Sequence, residues 1–146
     1  MTAARAFRSI TARAAHSAVG EAIARAEAEG AAVVACVVDA AGVPVAGLRM
    51  AGAPLHSNGI AADKAYTAAS FRLPTEELAR CLEDNPVLQH GIARRPRTIL
   101  FAGGLPILEQ GDLIGGIGVS GASEEQDRRF AEAGLEAVAA FAAAEK

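Results

Sequence analysis

Alanines, Val19 and Ile23 recur at helical spacing from Thr11 to Glu29, and Gly30 supplies a stop, which predicts a first amphipathic helix. The period then changes. Ala31 to Val38 is a run rich in β-branched residues, Asp39-Ala40-Ala41-Gly42 reads as a tight turn, and Val43 to Met50 returns as a partner strand. After a loop over Ala51 to His56, Ser57 reads as the N-cap of a helix from Asn58 to about Ser70. Leu73-Pro74 breaks that helix, and Thr75 followed by Glu76 and Glu77 caps a shorter one to about Glu83. Asn85 to Arg97, with Pro86 and Pro96, reads as an irregular excursion. Three strands follow, at Thr98 to Ala102, Leu105 to Glu109 and Leu113 to Ser120. Ser123 and Gln126 form a capping box for a final helix that runs nearly to Lys146.

The order α-β-β-α-α-β-β-β-α is dominated by hairpins. It predicts one α+β domain over residues 1–146, of the profilin-like or PAS-like kind, with a five-stranded antiparallel sheet and flanking helices. Folds of this kind hold ligands between the sheet and the crossing helices, but the architecture does not name the ligand.

Composition narrows the function. The chain is 51% hydrophobic yet has no Trp and a single tyrosine, Tyr66, so the interior is read as closely packed alanine helices. A net charge of −3 without a basic patch argues against nucleic-acid binding. No apolar run reaches the roughly 20 residues of a membrane span. The Arg- and Ala-rich N-terminus lacks the hydrophobic stretch of a secretory signal, and the expected compartment is the cytoplasm. Cys36 and Cys81 fit no zinc or redox spacing, and the histidines His16, His56 and His90 form no metal motif, so no metal site is expected. Cys36, Met50, Tyr66 and Phe71 read as core residues.

Residues 116–121, Gly-Ile-Gly-Val-Ser-Gly, match the G-x-G-x-x-G dinucleotide fingerprint literally. That fingerprint belongs in the first turn of a βαβ unit, with an acidic residue about 20 positions on. Here the segment is strand-like, one helical segment follows, and no second parallel strand carries the acid. The dinucleotide reading is set aside. Alternation puts Ile114, Gly116, Gly118 and Ser120 on one face of this strand and Leu113, Gly115, Ile117 and Val119 on the other. Glycines at 116 and 118 strip one face of bulk. Either a helix packs closely there, or a ligand lies on bare backbone with Ser120 as a donor.

Lys64 stands out because only it and Lys146 are lysines among fourteen cationic side chains. A compact ammonium pairs with one oxygen, titrates when buried or forms a Schiff base, each better than guanidinium does. Asp63 lies about 100° away around the helix, so the two need not pair. His56 stands just before the same helix.

The strings Ile60-Ala61-Ala62-Asp63-Lys64-Ala65-Tyr66-Thr67-Ala68, Gly103-Gly104-Leu105-Pro106-Ile107 and Gly115 to Gly121 together resemble the haem-binding and haem-degrading GlcG/HbpS family. The Val37 to Gly42 turn and Glu125-Gln126-Asp127 fit the same pattern, and the similarity covers about residues 14 to 142. The resemblance implies a profilin-like domain that assembles into dimers or larger homo-oligomers. Some members are secreted haem-binding sensors. Others accompany enzymes of small hydroxy-acid metabolism or are fused to corrinoid-processing domains. No axial-ligand motif of the family can be matched here.

Three functions stand open at this level. One is a haem or tetrapyrrole protein, with His56, Lys64, Gly103, Gly104, Gly116, Gly118 and Ser120 as contacts and Lys64 suited to a propionate. The second is a cofactor-free isomerase, lyase or decarboxylase on a small oxygenated acid, with Lys64 as anchor or acid–base group and Asp63 or His56 as its partner. The third is a non-catalytic assembly protein whose glycine-rich face is a subunit contact.

Overall fold

The computed structural model describes residues 1–144; the end of the final helix near Lys146, and Lys146 itself, lie outside the described residues. The elements are α1 (Ala12–Ala28), β1 (Val34–Asp39), β2 (Pro44–Arg49), α2 (Ser57–Phe71), α3 (Thr75–Cys81), α4 (Pro86–Ala93), β3 (Gly104–Glu109), β4 (Asp112–Ser120) and α5 (Glu124–Ala144). The strands form one sheet in the order β2-β1-β4-β3, every pair antiparallel. The sheet is a middle layer, with α2 on one face and α1 and α5 on the other.

The α+β class stands, but the sheet has four strands among the described residues, not five. The expected strand Thr98 to Ala102 is irregular, because side chains from the helices take up its backbone groups. The Thr67 hydroxyl donates to the Arg97 carbonyl and accepts from Ile99 N–H. The Thr75 hydroxyl donates to the Phe101 carbonyl and accepts from Gly104 N–H, and Glu124 accepts from Ala102 N–H. A segment bonded in this way has no ladder left to offer a neighbouring strand.

Further expectations change. The excursion after Asn85 contains α4, whose first turn is set by the Asn85 side chain accepting from Leu88 N–H and by Pro86 at a position that tolerates a missing N–H. Ser57 does not cap α2. It is the first residue of the helix, and its hydroxyl instead accepts from the Ser120 hydroxyl in the interior at 3.2 Å. Thr75 likewise is the first residue of α3 and not its cap, its hydroxyl being bonded to Phe101 and Gly104. The hairpin turn and the final capping box form as expected. Asp39 accepts from Ala41 and Val43 N–H, and Ser123 and Gln126 exchange bonds at the start of α5.

The glycine strand explains how close α2 comes. A Cβ on Gly118 would lie 2.6 Å from Ala65 N and 2.9 Å from Lys64 Cβ, and one on Gly116 would lie 3.2 Å from Ala69 Cβ. The buried alanines 61, 65, 68 and 69 answer from the helix side. Small residues on both surfaces let backbone approach backbone, and a Cβ at Gly118 would also strike the Ala61 carbonyl. Strict alternation fails once along this strand. An irregularity opposite Ile107 and Leu108 shifts the register, so Ile114 joins the core under α1 and α5 while Leu113 joins the α2 side.

Candidate functional site

Lys64 projects from α2 into the interior and is 1% exposed. Its Nζ donates to the Val119 carbonyl at 2.8 Å and to Asp127 Oδ2 at 3.1 Å, and lies 5.1 Å from the centre of the Phe101 ring. Asp127, in the first turn of α5, also accepts from Ala122 N–H. One ammonium thus ties α2 to β4 and α5. Burial pushes the Lys64 pKa below its ordinary value, against the pull of Asp127, Glu124 and Glu76. Burial likewise pushes the Asp127 carboxyl up, opposed first by Lys64 and then by the Ala122 N–H.

The other residues singled out in the sequence are dispersed. Asp63, on a different bearing of α2, pairs with Arg97 at 3.0 Å and not with Lys64. His56 is exposed at the start of α2, and His16 and His90 are exposed elsewhere. Gly103 and Gly104 are buried beside Lys64, where a Cβ on Gly103 would stand 2.6 Å from Nζ. Gly116 and Gly118 lie under α2, and Ser120 is bonded to Ser57. Lys64, Gly103 and Gly104 therefore come together, but His56 and Asp63 do not join them. Cys36 is buried with its thiol pushed up by burial, and the Met50 sulfur accepts from Val33 N–H.

A second arrangement lies on the outer side of α2. Tyr66 stands between two cavities, one of about 310 Å³ and one of about 330 Å³. The first lies against the Ala40–Gly42 turn, Arg72 and Leu113. The second is walled by Phe71, Ile92, Pro96, Arg95 and Arg97. The Cδ2–Cε2 edge of the Tyr66 ring closes on Gly42, where a Cβ would be 2.7 Å from the ring, and the Arg97 guanidinium lies over the ring at 3.8 Å from its centroid. Arg97 and Arg72 both hold left-handed backbone, with φ of 63° and 57°. For side chains of this size such conformations cost about 1 kcal/mol or more and persist only where the surroundings impose them. Phe71 is 40% exposed, so neither it nor half-buried Tyr66 is the core residue expected. The signal for this site was Tyr66 as the chain's single tyrosine; the arginines carried none, because their neighbours are set by the 94–102 segment.

The fold and this groove define the class: a small α+β domain whose antiparallel sheet carries one closely packed helix with an amphipathic cleft along its outer side. Residues 10–136 match the family described as haem degrading protein HbpS-like, and the chain belongs to that family. It superposes on the Klebsiella pneumoniae protein ORFY with a TM-score of 0.90, at 31% identity over 96% of this chain and 97% of that one. It is also similar to a structure described as a PduOC:haem complex, at TM-score 0.79 and 31% identity, covering 88% of this chain and 94% of that chain. Among curated proteins, it is 39% identical over 106 residues to an uncharacterised 15.0 kDa protein of the Citrobacter freundii dhaT-dhaS intergenic region, covering 71% of this chain and 74% of that protein. It is 34% identical to the corrinoid adenosyltransferase PduO of Citrobacter freundii, over 84% of this chain but only 37% of PduO's length.

Proposed function

We propose that this protein binds haem, or a closely related tetrapyrrole, in the groove along the outer face of α2. The observation that carries the reading is the pair of cavities meeting at Tyr66. Each is at the low end of the roughly 300–1,000 Å³ of small-molecule sites, and the two share Tyr66 and Ser70, so together they suit a broad flat ligand. The residues fit the group chemically. Tyr66, Phe71, Ile92 and Pro96 offer apolar surface to a macrocycle, and Arg95, Arg97 and Arg72 offer cations to its carboxylates. The family description and the haem complex of the PduO domain support the same ligand. Haem would bring a redox-active iron; the chain's own part is to hold the ring, pair its carboxylates and exclude water from one face.

Titrating haemin into the purified protein should give a saturable shift of the Soret band. Arg95→Glu should weaken that binding by about tenfold, the equivalent of about 1.4 kcal/mol. Absence of any shift in the native protein would sink the reading. Haem breakdown, the finer activity, is tested in the same cuvette by adding ascorbate in air: a Soret band that decays faster than that of free haemin supports it, and a stable band opposes it.

One observation favours the alternative of acid–base chemistry at Lys64, namely its burial with a lowered pKa. Lys64 lines neither cavity beside α2, and its partner is Asp127 rather than Asp63 or His56. This makes the interior pair a tie between elements. The assembly reading, which needs the glycine face free for another subunit, meets α2 of the same chain on that face.

A further inference from the structure

We infer that Tyr66 is the iron ligand of the bound haem, an assignment that rests on the groove proposed above. The two cavities are lined by aliphatic, hydroxyl, guanidinium and aromatic side chains, with no histidine, cysteine or methionine among them. His16, His56 and His90 are exposed and line neither cavity, Cys36 is buried on β1, and the Met50 sulfur accepts from Val33 N–H. Of the groups that do face the cavities, the Thr67 hydroxyl is already bonded to the Arg97 carbonyl and to Ile99 N–H. The Tyr66 phenol makes no hydrogen bond among the described residues and is not one of the buried atoms left without a partner. It is the one strong oxygen ligand available, and a phenolate is a ligand that haem proteins use for ferric iron.

The surroundings of the ring fit that role. Ligation needs the phenol in its anionic form and held in one orientation. Gly42 lies against one edge of the ring and Arg97 over its face, and Arg97 is itself fixed by Asp63 at 3.0 Å and by the Thr67 bond to its carbonyl. The Arg97 guanidinium stands 3.8 Å from the ring centre, and Arg97 holds left-handed backbone there. The proton leaves to solvent as iron binds, and no electron is transferred.

Absorption and resonance Raman spectra of the ferric complex should show phenolate-to-iron charge transfer and the phenolate modes, and Tyr66→Phe should abolish both. Haemin binding should weaken by about tenfold or more in Tyr66→Phe, while iron-free protoporphyrin IX should bind both proteins within about twofold. Equal porphyrin binding shows that the variant is folded and the groove intact. Tyr66→His should restore ligation with a changed spectrum. If Tyr66→Phe gives the native ferric spectrum, the ligand assignment is overturned and the haem site stands. If neither haemin nor protoporphyrin binds the native protein, the haem site itself falls and the ligand with it.

Discussion

Lys64 shows how far a single residue can be read in advance. Its rarity against twelve arginines singled it out, and the structure buries it, but its partner could not be read. Asp127 lies 63 positions away and reaches Lys64 only because β4 carries the chain across the sheet to α5. The two side chains are 1% and 5% exposed, so removing one leaves the other charged and alone in the interior. Lys64→Met should therefore cost about 3–5 kcal/mol in urea unfolding. Lys64→Met combined with Asp127→Asn, which keeps an acceptor for Ala122, should recover at least about 2 kcal/mol of that loss. The pH dependence has a definite sign. Below its lowered pKa, Lys64 is charged in both the folded and unfolded chain and contributes no slope. Between that pKa and the ordinary 10.5, the unfolded chain holds more protons, so stability should rise with pH relative to the double variant. Unfolding curves from pH 7 upward check this; a falling difference would show that the ammonium is not desolvated.

The hairpin turn and the last cap were legible because local chemistry decides them, whereas Ser57 and Thr75, read as caps, are the first residues of their helices. The β1–β2 turn is fixed by Asp39 and Gly42, and the start of α5 by Ser123 and Gln126. Two elements escaped for opposite reasons. Thr98 to Ala102 has the composition of a strand, but Thr67, Thr75 and Glu124 claim its backbone from distant helices. The α4 helix buries no residue among those described, and its segment is bracketed by Pro86 and Pro96, which read as breaks. Packing of α2 on β4 yields a prediction at this scale. Gly118→Ala should destabilise the protein by on the order of 3 kcal/mol, because the new methyl meets helix backbone that cannot move alone. Gly20→Ala, within α1 and with nothing within 4 Å of its Cβ, should instead stabilise by about 0.5–1 kcal/mol. Chemical denaturation of both variants tests the contrast.

In the whole molecule, the literal dinucleotide fingerprint at 116–121 becomes the central surface on which α2 is laid. The bare strand is thus a packing device, and the groove that remains for a ligand is on the far side of the helix. The glycines and Lys64 lie at the inner face of α2, and the proposed groove runs along its outer face. Tyr66 and Phe71 mark the outer face, together with arginines supplied by the segment after α4. No described helix is long and apolar enough to cross a membrane, and no cluster of three or more metal-binding side chains occurs among the described residues. The most direct measurement is a crystal structure of the protein with haemin, phased to show the iron by anomalous scattering. The account predicts an iron peak beside the Tyr66 oxygen, with the ring between the Ala40–Gly42 turn and the 95–97 segment. An iron peak on any other surface, or at Lys64 behind an opened Phe101, would contradict it.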